Sequence, residues 1–183
     1  MSQLQNQKNQ ENQQAIDEEQ IASRVNKVLE EELSNEEMQP GDIVELELLQ
    51  ETYKVATMGM QSVEVIKPMV KEKALKNLLF KQFNSYKSLA KEIELKAIHN
   101  GFDLKPANII NKAMMYGNML INTINDRSAS KLAEMMIQGI NMGIISITKV
   151  TNNIDSELNI DMSLTNKLMG MLNNNLENLK VYL

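Results

Sequence analysis

Apolar residues recur every three or four positions over most of the chain, which is the spacing of one face of an α-helix. The first such stripe lies in residues 14–34, and its members are Ile21, Val25, Val28 or Leu29, and Leu33. This stripe is narrow, so we expect the helix to dock on another surface rather than to form a core alone. Residues 1–13 are rich in Gln and Asn and predict a disordered polar tail.

Residues 34–41 predict a linker, because Pro40-Gly41 is the strongest helix-breaking pair in the chain. The main helical domain, residues 42–183, would begin at Asp42, whose spacing to Glu45 resembles a capping box. The first long helix extends from there to about Lys67. Its predicted core stripe alternates by three and four and consists of Leu49, Thr52, Ala56, Gly59, Val63 and Ile66.

Pro68 predicts a turn or kink, after which a second long helix extends to about Asn100. The pair Asn100-Gly101 is a typical C-terminal stop. One face of this helix carries Leu75, Leu79, Phe83, Tyr86, Ala90, Ile93 and Ala97. A shorter helix, opened by Asp103 and Pro106, is predicted over residues 105–125.

Two further helices follow a polar break at residues 125–128. They are predicted over residues 129–153 and 163–182, with a loop over residues 155–162. The last helix carries Leu164, Leu168, Leu172, Leu176, Leu179 and Leu183. No strand-like alternation is present, so the sequence predicts an all-α fold.

Two long helices, a short connector and two more helices suggest a ferritin-like four-helix bundle in which the connector is a crossover helix. A plain up-and-down bundle of five helices is the alternative. A repeated sequence pattern favours the ferritin-like bundle. Residues 57–63 (TMGMQSV) and 141–147 (NMGIISI) share the order polar, Met, Gly, apolar, variable, Ser, β-branched. A glycine inside a helix costs about 1 kcal/mol relative to Ala. We therefore predict that helices pack closely at Gly59, Gly139 and Gly143. The alternative is that the two segments are similar by chance.

Composition narrows the possible functions. The 183 residues contain only 7 Gly and 3 Pro, aromatic residues make up 4%, and 14 Met help to build the core. A many-stranded β fold is therefore excluded. The net charge of −5 disfavours binding to nucleic acid. The start of the chain does not resemble a secretory signal, and no apolar run is long enough for membrane insertion. Cysteine is absent, which excludes disulfides and thiolate metal sites. A cytoplasmic location is expected, with spore association as the alternative.

A di-metal carboxylate site is the sharpest chemical hypothesis for such a bundle, and it needs two Glu-x-x-His motifs. The chain has one histidine, His99, and the residue three positions before it is Lys96. Glu51 and Glu92 flank their core stripes and are the only candidates near the interior. The remaining candidates lie on predicted polar helix faces; they are Glu64, Glu94, Glu134 and Glu177. We therefore expect no catalytic, cofactor-binding or metal residues and no cofactor.

Other chemistry is equally weakly supported. His99 is expected at the surface near a helix C-terminus, where a protonated imidazole interacts favourably with the helix dipole. The sequence contains no glycine-rich phosphate loop and no nucleophile elbow. The paired methionines could suggest a copper(I) site, but their helical spacing favours a role as core filler. These are Met114-Met115, Met135-Met136, Met169 and Met171.

Residues 47–63 (ELLQETYKVATMGMQSV), residues 131–149 (KLAEMMIQGINMGIISITK) and the closing LENLKVYL resemble a bacterial family of small ferritin-like helical proteins. The resemblance covers residues 45–183 and implies a ferritin-like bundle without an established activity. We expect a non-enzymatic structural, self-associating or adaptor protein whose partner is a second copy or another protein. A metal-carboxylate protein with a degenerate site and a spore or envelope component are the alternatives; some ferritin-like families are spore-coat components.

Overall fold

The computed structural model describes residues 38–105, 126–155 and 157–183, all of them helical or in turns and loops. The predicted tail, the N-terminal helix and nearly all of the connector helix, with Met114-Met115, lie outside the described residues. Gly41–Leu183 group into one compact unit. The described part of this unit contains four α-helices, and the all-α prediction is confirmed for these residues.

The helices have the bounds α1 Pro40–Ile66, α2 Lys73–His99, α3 Ala129–Thr151 and α4 Ser163–Lys180. The linker prediction is wrong at its end, because α1 begins at Pro40 rather than at Asp42. A proline is tolerated in the first turn of a helix, where its missing N–H would have no partner. Pro68 lies in a short 3₁₀ helix, Lys67–Met69, that separates α1 from α2 as predicted.

The end of α2 follows a Schellman pattern. Gly101 has φ +72°, a left-handed conformation that glycine adopts without strain. The N–H of Gly101 donates to the carbonyl of Ile98 at 3.1 Å, and the N–H of Phe102 donates to that of Ala97 at 2.8 Å. These two bonds satisfy carbonyls that the helix end would leave unpaired, so the predicted stop is confirmed.

Ser128 is the N-cap of α3, and its hydroxyl accepts a hydrogen bond from the N–H of Lys131 at 3.2 Å. This N-cap lies within the predicted polar break. The helix then ends at Thr151 rather than at residue 153.

Contacts between side chains give the direction of each helix. Glu45 near the start of α1 accepts a hydrogen bond from Asn100, just after the end of α2. Lys67, just after the end of α1, lies over the ring of Phe80 in the first half of α2, so these two helices are antiparallel. Glu51 of α1 accepts a hydrogen bond from Ser146 of α3. Val55 lies beside Gly143, and the order of these two contacts makes α1 and α3 antiparallel.

The last helix, α4, is antiparallel to both α2 and α3. Lys96 of α2 pairs with Asp161 just before α4, and Tyr86 bonds to Asn175 further along it. Ser130 at the start of α3 meets Leu183 after the end of α4. It follows that α2 and α3 point the same way and that α1 and α4 point the opposite way.

The predicted stripes of α1 and α2 face the core. Leu49, Ala56, Val63 and Ile66 of α1 are buried, as are Leu75, Leu79, Ala90, Ile93 and Ala97 of α2. The stripe of α4 is partly wrong. Its buried positions are Thr165, Leu168, Leu172, Asn175 and Leu179, whereas Leu164 and Leu176 are half-buried and Leu183 is exposed.

Candidate functional site

Glu51 and Glu92, the two carboxylates predicted nearest the interior, are each held by a lysine. Glu51 accepts hydrogen bonds from the Lys54 ammonium at 2.9 and 3.0 Å and from the Ser146 hydroxyl. Glu92 accepts one from Lys167 at 2.6 Å and a longer one from Ser88 at 3.4 Å. Each carboxylate is therefore neutralised by an ammonium group.

The other predicted candidates lie on the surface. Glu134 pairs with Lys131 at 2.7 Å, and Glu177 pairs with Lys180 at 2.6 Å. Glu94 accepts a hydrogen bond from the Tyr53 hydroxyl at 2.7 Å. Within residues 38–105, 126–155 and 157–183, no three acidic or histidine side chains converge on a point where a metal ion could bind.

His99 is exposed and is the last residue of α2, the position that its sequence context predicts. The methionine clusters also behave as predicted where they are described. Met136 is buried in the core, and the partly buried Met135, Met169 and Met171 pack against the core.

The interior contains polar side chains that the sequence patterns did not single out as functional candidates. The hydroxyls of Thr52 and Thr165 lie 2.9 Å apart and join α1 to α4 across the core. The Thr52 hydroxyl also lies 2.7 Å from the carbonyl of Leu48, to which it donates. Both threonines are almost fully buried. A polar group is tolerated in such a place because it is hydrogen-bonded.

A second polar pair joins α2 to α4. The Asn175 amide donates to the Tyr86 hydroxyl at 3.1 Å, and both side chains are buried. Burial raises the pKa of Tyr86 because the phenolate form would be desolvated, while the Asn175 hydrogen bond acts in the other direction. Tyr86 is therefore a neutral, hydrogen-bonded member of the core.

Gln82 is the exception among the buried polar residues. Its side chain lies one helical turn before Tyr86 and is only 2% exposed. Neither its amide nitrogen nor its amide oxygen has a hydrogen-bond partner among the described residues. An unsatisfied buried polar group costs about 1–3 kcal/mol. The signal was present in the sequence, since Gln82 lies three residues after Leu79 and four before Tyr86, but the predicted stripe took its neighbour Phe83, which is only half-buried.

The three predicted packing glycines lie in different surroundings. A Cβ atom on Gly59 would lie 2.8–3.0 Å from the Tyr86 ring, and one on Gly143 would lie 2.9 Å from Val55. The two glycines thus face different helices, α2 and α1, rather than one shared contact. Gly139 is exposed, and no atom lies within 4 Å of its Cβ position, so its prediction as a packing residue is corrected.

Large apolar side chains are exposed in pairs on two helices. Met142 and Ile145 of α3 are 69% and 54% exposed, and Leu95 and Ile98 of α2 are 57% and 72% exposed. Each pair is spaced by three residues and therefore forms one patch on its helix. No helix of the described residues is long and apolar enough to span a membrane.

Comparison with protein-family models gives no match, and searches for similar curated proteins and for similar solved structures give none either. The resemblance to ferritin-like proteins therefore stays a prediction.

Proposed function

We propose that the chain is a non-enzymatic helical protein, built as a ferritin-like four-helix bundle, that acts by associating with itself. The observation that carries this proposal is the exposed apolar pair Met142 and Ile145 in the middle of α3. Contiguous apolar surface is typical of a protein–protein interface. The opposite face of the same helix is buried in the core, so α3 is already packed on the rest of the protein and the pair is left on its outer side.

The helix directions support the ferritin-like part of the proposal. α2 and α3 are parallel, as are the second and third helices of a four-helix bundle with one long crossover. An up-and-down arrangement of five helices would give the same directions. The contacts of α1 with the other three helices, through Tyr53, Glu51 and Thr52, favour a core made by these four helices.

The ion pairs support a role without metal chemistry. Carboxylates that bind a di-metal centre converge on the ions from several helices, whereas Glu51 and Glu92 are each occupied by a lysine. A metal-carboxylate protein with a degenerate site is therefore the weaker alternative. A cytoplasmic location, with a spore or envelope component as the alternative, completes the proposal.

Sedimentation velocity of the full chain over a wide range of concentrations tests the proposed function. We expect a reversible oligomer whose population grows with concentration. A monomer at every concentration would overturn the proposal. Elemental analysis of the same protein, purified without chelator, tests the alternative: stoichiometric iron or manganese would favour the metal-carboxylate protein.

A further inference from the structure

We propose that a second copy of the chain binds along the exposed side of α3, with the two α3 helices antiparallel about a two-fold axis near Met142. This inference rests on the proposed function and gives the self-association a defined surface. We call this surface the α3 outer face. Its residues, spaced by three or four, are Lys131, Glu134, Gln138, Met142, Ile145, Lys149 and Asn152.

The α3 outer face lies opposite the buried face of the same helix. The buried residues are Leu132, Ala133, Met136, Ile140 and Ile147. With 3.6 residues per turn, a stripe spaced from residue 131 to residue 152 forms one line along the opposite side of the helix. Gln138, Met142, Ile145 and Lys149 on this line are exposed. A second helix could therefore lie along α3 without disturbing the core.

The apolar pair lies in the middle of this line. α3 spans Ala129–Thr151, so helical surface continues on both sides of Met142 and Ile145. The pair on α2 is placed differently, because Leu95 and Ile98 lie in the last turns before the helix ends at His99. A two-fold contact centred on the α2 pair would have helix on one side only. The two pairs are similarly exposed, but only the α3 pair is centred on its helix.

Charge decides the relative direction of the two α3 helices. In an antiparallel pair centred near Met142, Glu134 of each copy lies opposite Lys149 of the other, and Gln138 lies opposite Ile145. Two-fold symmetry repeats each of these contacts, so two ion pairs flank the apolar centre. In a parallel pair, Glu134 would face Glu134 and Lys149 would face Lys149. Like charges placed opposite each other across an interface are unfavourable, so the antiparallel pairing is favoured.

The charged groups are accessible for such contacts. The Glu134 side chain is 44% exposed, although it also pairs with Lys131 within its own chain. Lys149 is exposed and has no ion-pair partner within residues 38–105, 126–155 and 157–183. We expect a contact made by one helix of each copy to bury less than the roughly 1,200–2,000 Å² of a standard-size interface. We therefore expect a weak dimer that dissociates on dilution.

Two uncharged double variants test the location of the interface by sedimentation velocity. Met142→Gln/Ile145→Gln should abolish dimer formation at concentrations where the parent chain is mostly dimeric. Leu95→Gln/Ile98→Gln is the matched control, since it removes an equally spaced and similarly exposed pair, and it should dimerise like the parent. Circular dichroism confirms that both variants remain helical. If the parent dimerises but the α3 variant does so equally well, the inference is wrong while the proposed function stands.

A charge swap tests the direction of the helices. Glu134→Lys and Lys149→Glu should each weaken the dimer about tenfold, because each replaces two attractive contacts by two repulsive ones. The double variant Glu134→Lys/Lys149→Glu should restore the dissociation constant to about that of the parent. Single variants without effect, or a double variant as weak as the singles, would overturn the antiparallel pairing. A monomeric parent chain would instead overturn the proposed function itself.

Discussion

Tyr86 and Tyr53 each place a hydroxyl group against one polar side chain of another helix, but one pair is in the core and the other is at the surface. Tyr86 and its partner Asn175 are buried. Tyr53 donates to the exposed carboxylate of Glu94. The pKa of both phenols is raised, and desolvation is the main cause in each case. For Tyr53, whose pKa rises to about 12, the hydrogen bond to Glu94 and then the charge of Glu94 add to the effect.

The difference shows what fixes the positions of the helices. If the surface pair is broken, Glu94 can bind water instead. If the core pair is broken, Asn175 loses its partner in a place that is closed to solvent, and the cost of desolvation is not compensated. We therefore expect substitutions in the core near Tyr86 to have large effects and substitutions in surface pairs to have small ones.

Overpacking at the glycines should have the largest effect. Gly59→Leu and Gly143→Leu should each lower the free energy of unfolding by about 1–3 kcal/mol or more, because neither Tyr86 nor Val55 leaves room for a side chain. Gly139→Leu in the same helix as Gly143 is the control and should be neutral or stabilising, since its surroundings are open. Urea denaturation measures all three. Equal midpoints for Gly139→Leu and Gly143→Leu would contradict the close packing at Gly143.

Gln82→Met should have the opposite sign. Methionine is similar in size and removes the unpartnered amide, so the free energy of unfolding should rise by about 1–3 kcal/mol. Gln61→Met, at a half-buried position of α1, is the control and should change stability little. Thermal and urea unfolding provide the measurement. A loss of stability in Gln82→Met would mean that the amide is satisfied in solution, for example by an internal water molecule.

Tyr86→Phe tests whether burial sets the strength of the hydrogen bond between Tyr86 and Asn175. It should lower the free energy of unfolding by about 1–2 kcal/mol, because Asn175 is left without its partner. Tyr53→Phe removes the same atom at the surface and should cost less than about 0.5 kcal/mol. The two variants are compared by urea denaturation under the same conditions. Equal losses would show that burial does not set the strength of these bonds.

Substitution of Asp161 should change the free energy of unfolding least, and this change should depend on pH. Its carboxylate accepts the N–H of Ser163 at the start of α4 and pairs with Lys96 at 3.1 Å. The backbone hydrogen bond is the main reason why the pKa of Asp161 is lowered to about 2. A lowered pKa stabilises the fold above the unfolded value of about 4, and this contribution is lost as pH falls through the folded value.

Asp161→Asn should therefore lower the free energy of unfolding by less than about 1 kcal/mol at neutral pH, because the amide oxygen can still accept the Ser163 N–H but no longer carries the charge that faces Lys96 and the start of α4. The difference from the parent chain should shrink as pH falls from about 4 to about 2. Glu177→Gln, which removes a pair between exposed side chains, is the control and should have almost no effect. A difference that does not depend on pH would contradict a role for the Asp161 charge.

The sequence predicted the helices well because their apolar residues repeat with the helical period. In α2, for example, the apolar spacing that identifies one helix face also places that face in the core. Its buried residues include Leu75, Leu79 and Ile93. The start of α1 was misplaced because the Pro40-Gly41 pair is read as a break, although proline also fits the first turn of a helix.

In α4 the apolar pattern failed where a polar residue is buried with a partner from another helix, although the stripe of α1 placed Thr52 in the core correctly. In α4 the leucine series passes through Leu164 and Leu176, but the core positions next to them are Thr165 and Asn175. These side chains face inward because Thr52 and Tyr86 meet them there. Their spacing to Leu168, Leu172 and Leu179 fits one helix face, but a pattern built from apolar residues alone passes over polar side chains, and their partners are distant in sequence. The sequence of α3 also cannot distinguish Gly139 from Gly143, because the side chains that crowd Gly143 belong to other helices.

The hydrogen bond between Thr52 and Thr165 joins residues 113 positions apart, which matters for how fast the protein folds. Contacts of large sequence separation form slowly, because a long loop loses entropy before they are made. α3 and α4 are joined by a short connection and pack closely on each other. We expect these two helices to assemble first and α1 to complete the core last. Thr52→Val should then accelerate unfolding and leave the refolding rate almost unchanged in stopped-flow experiments; slower refolding would place α1 in the folding nucleus.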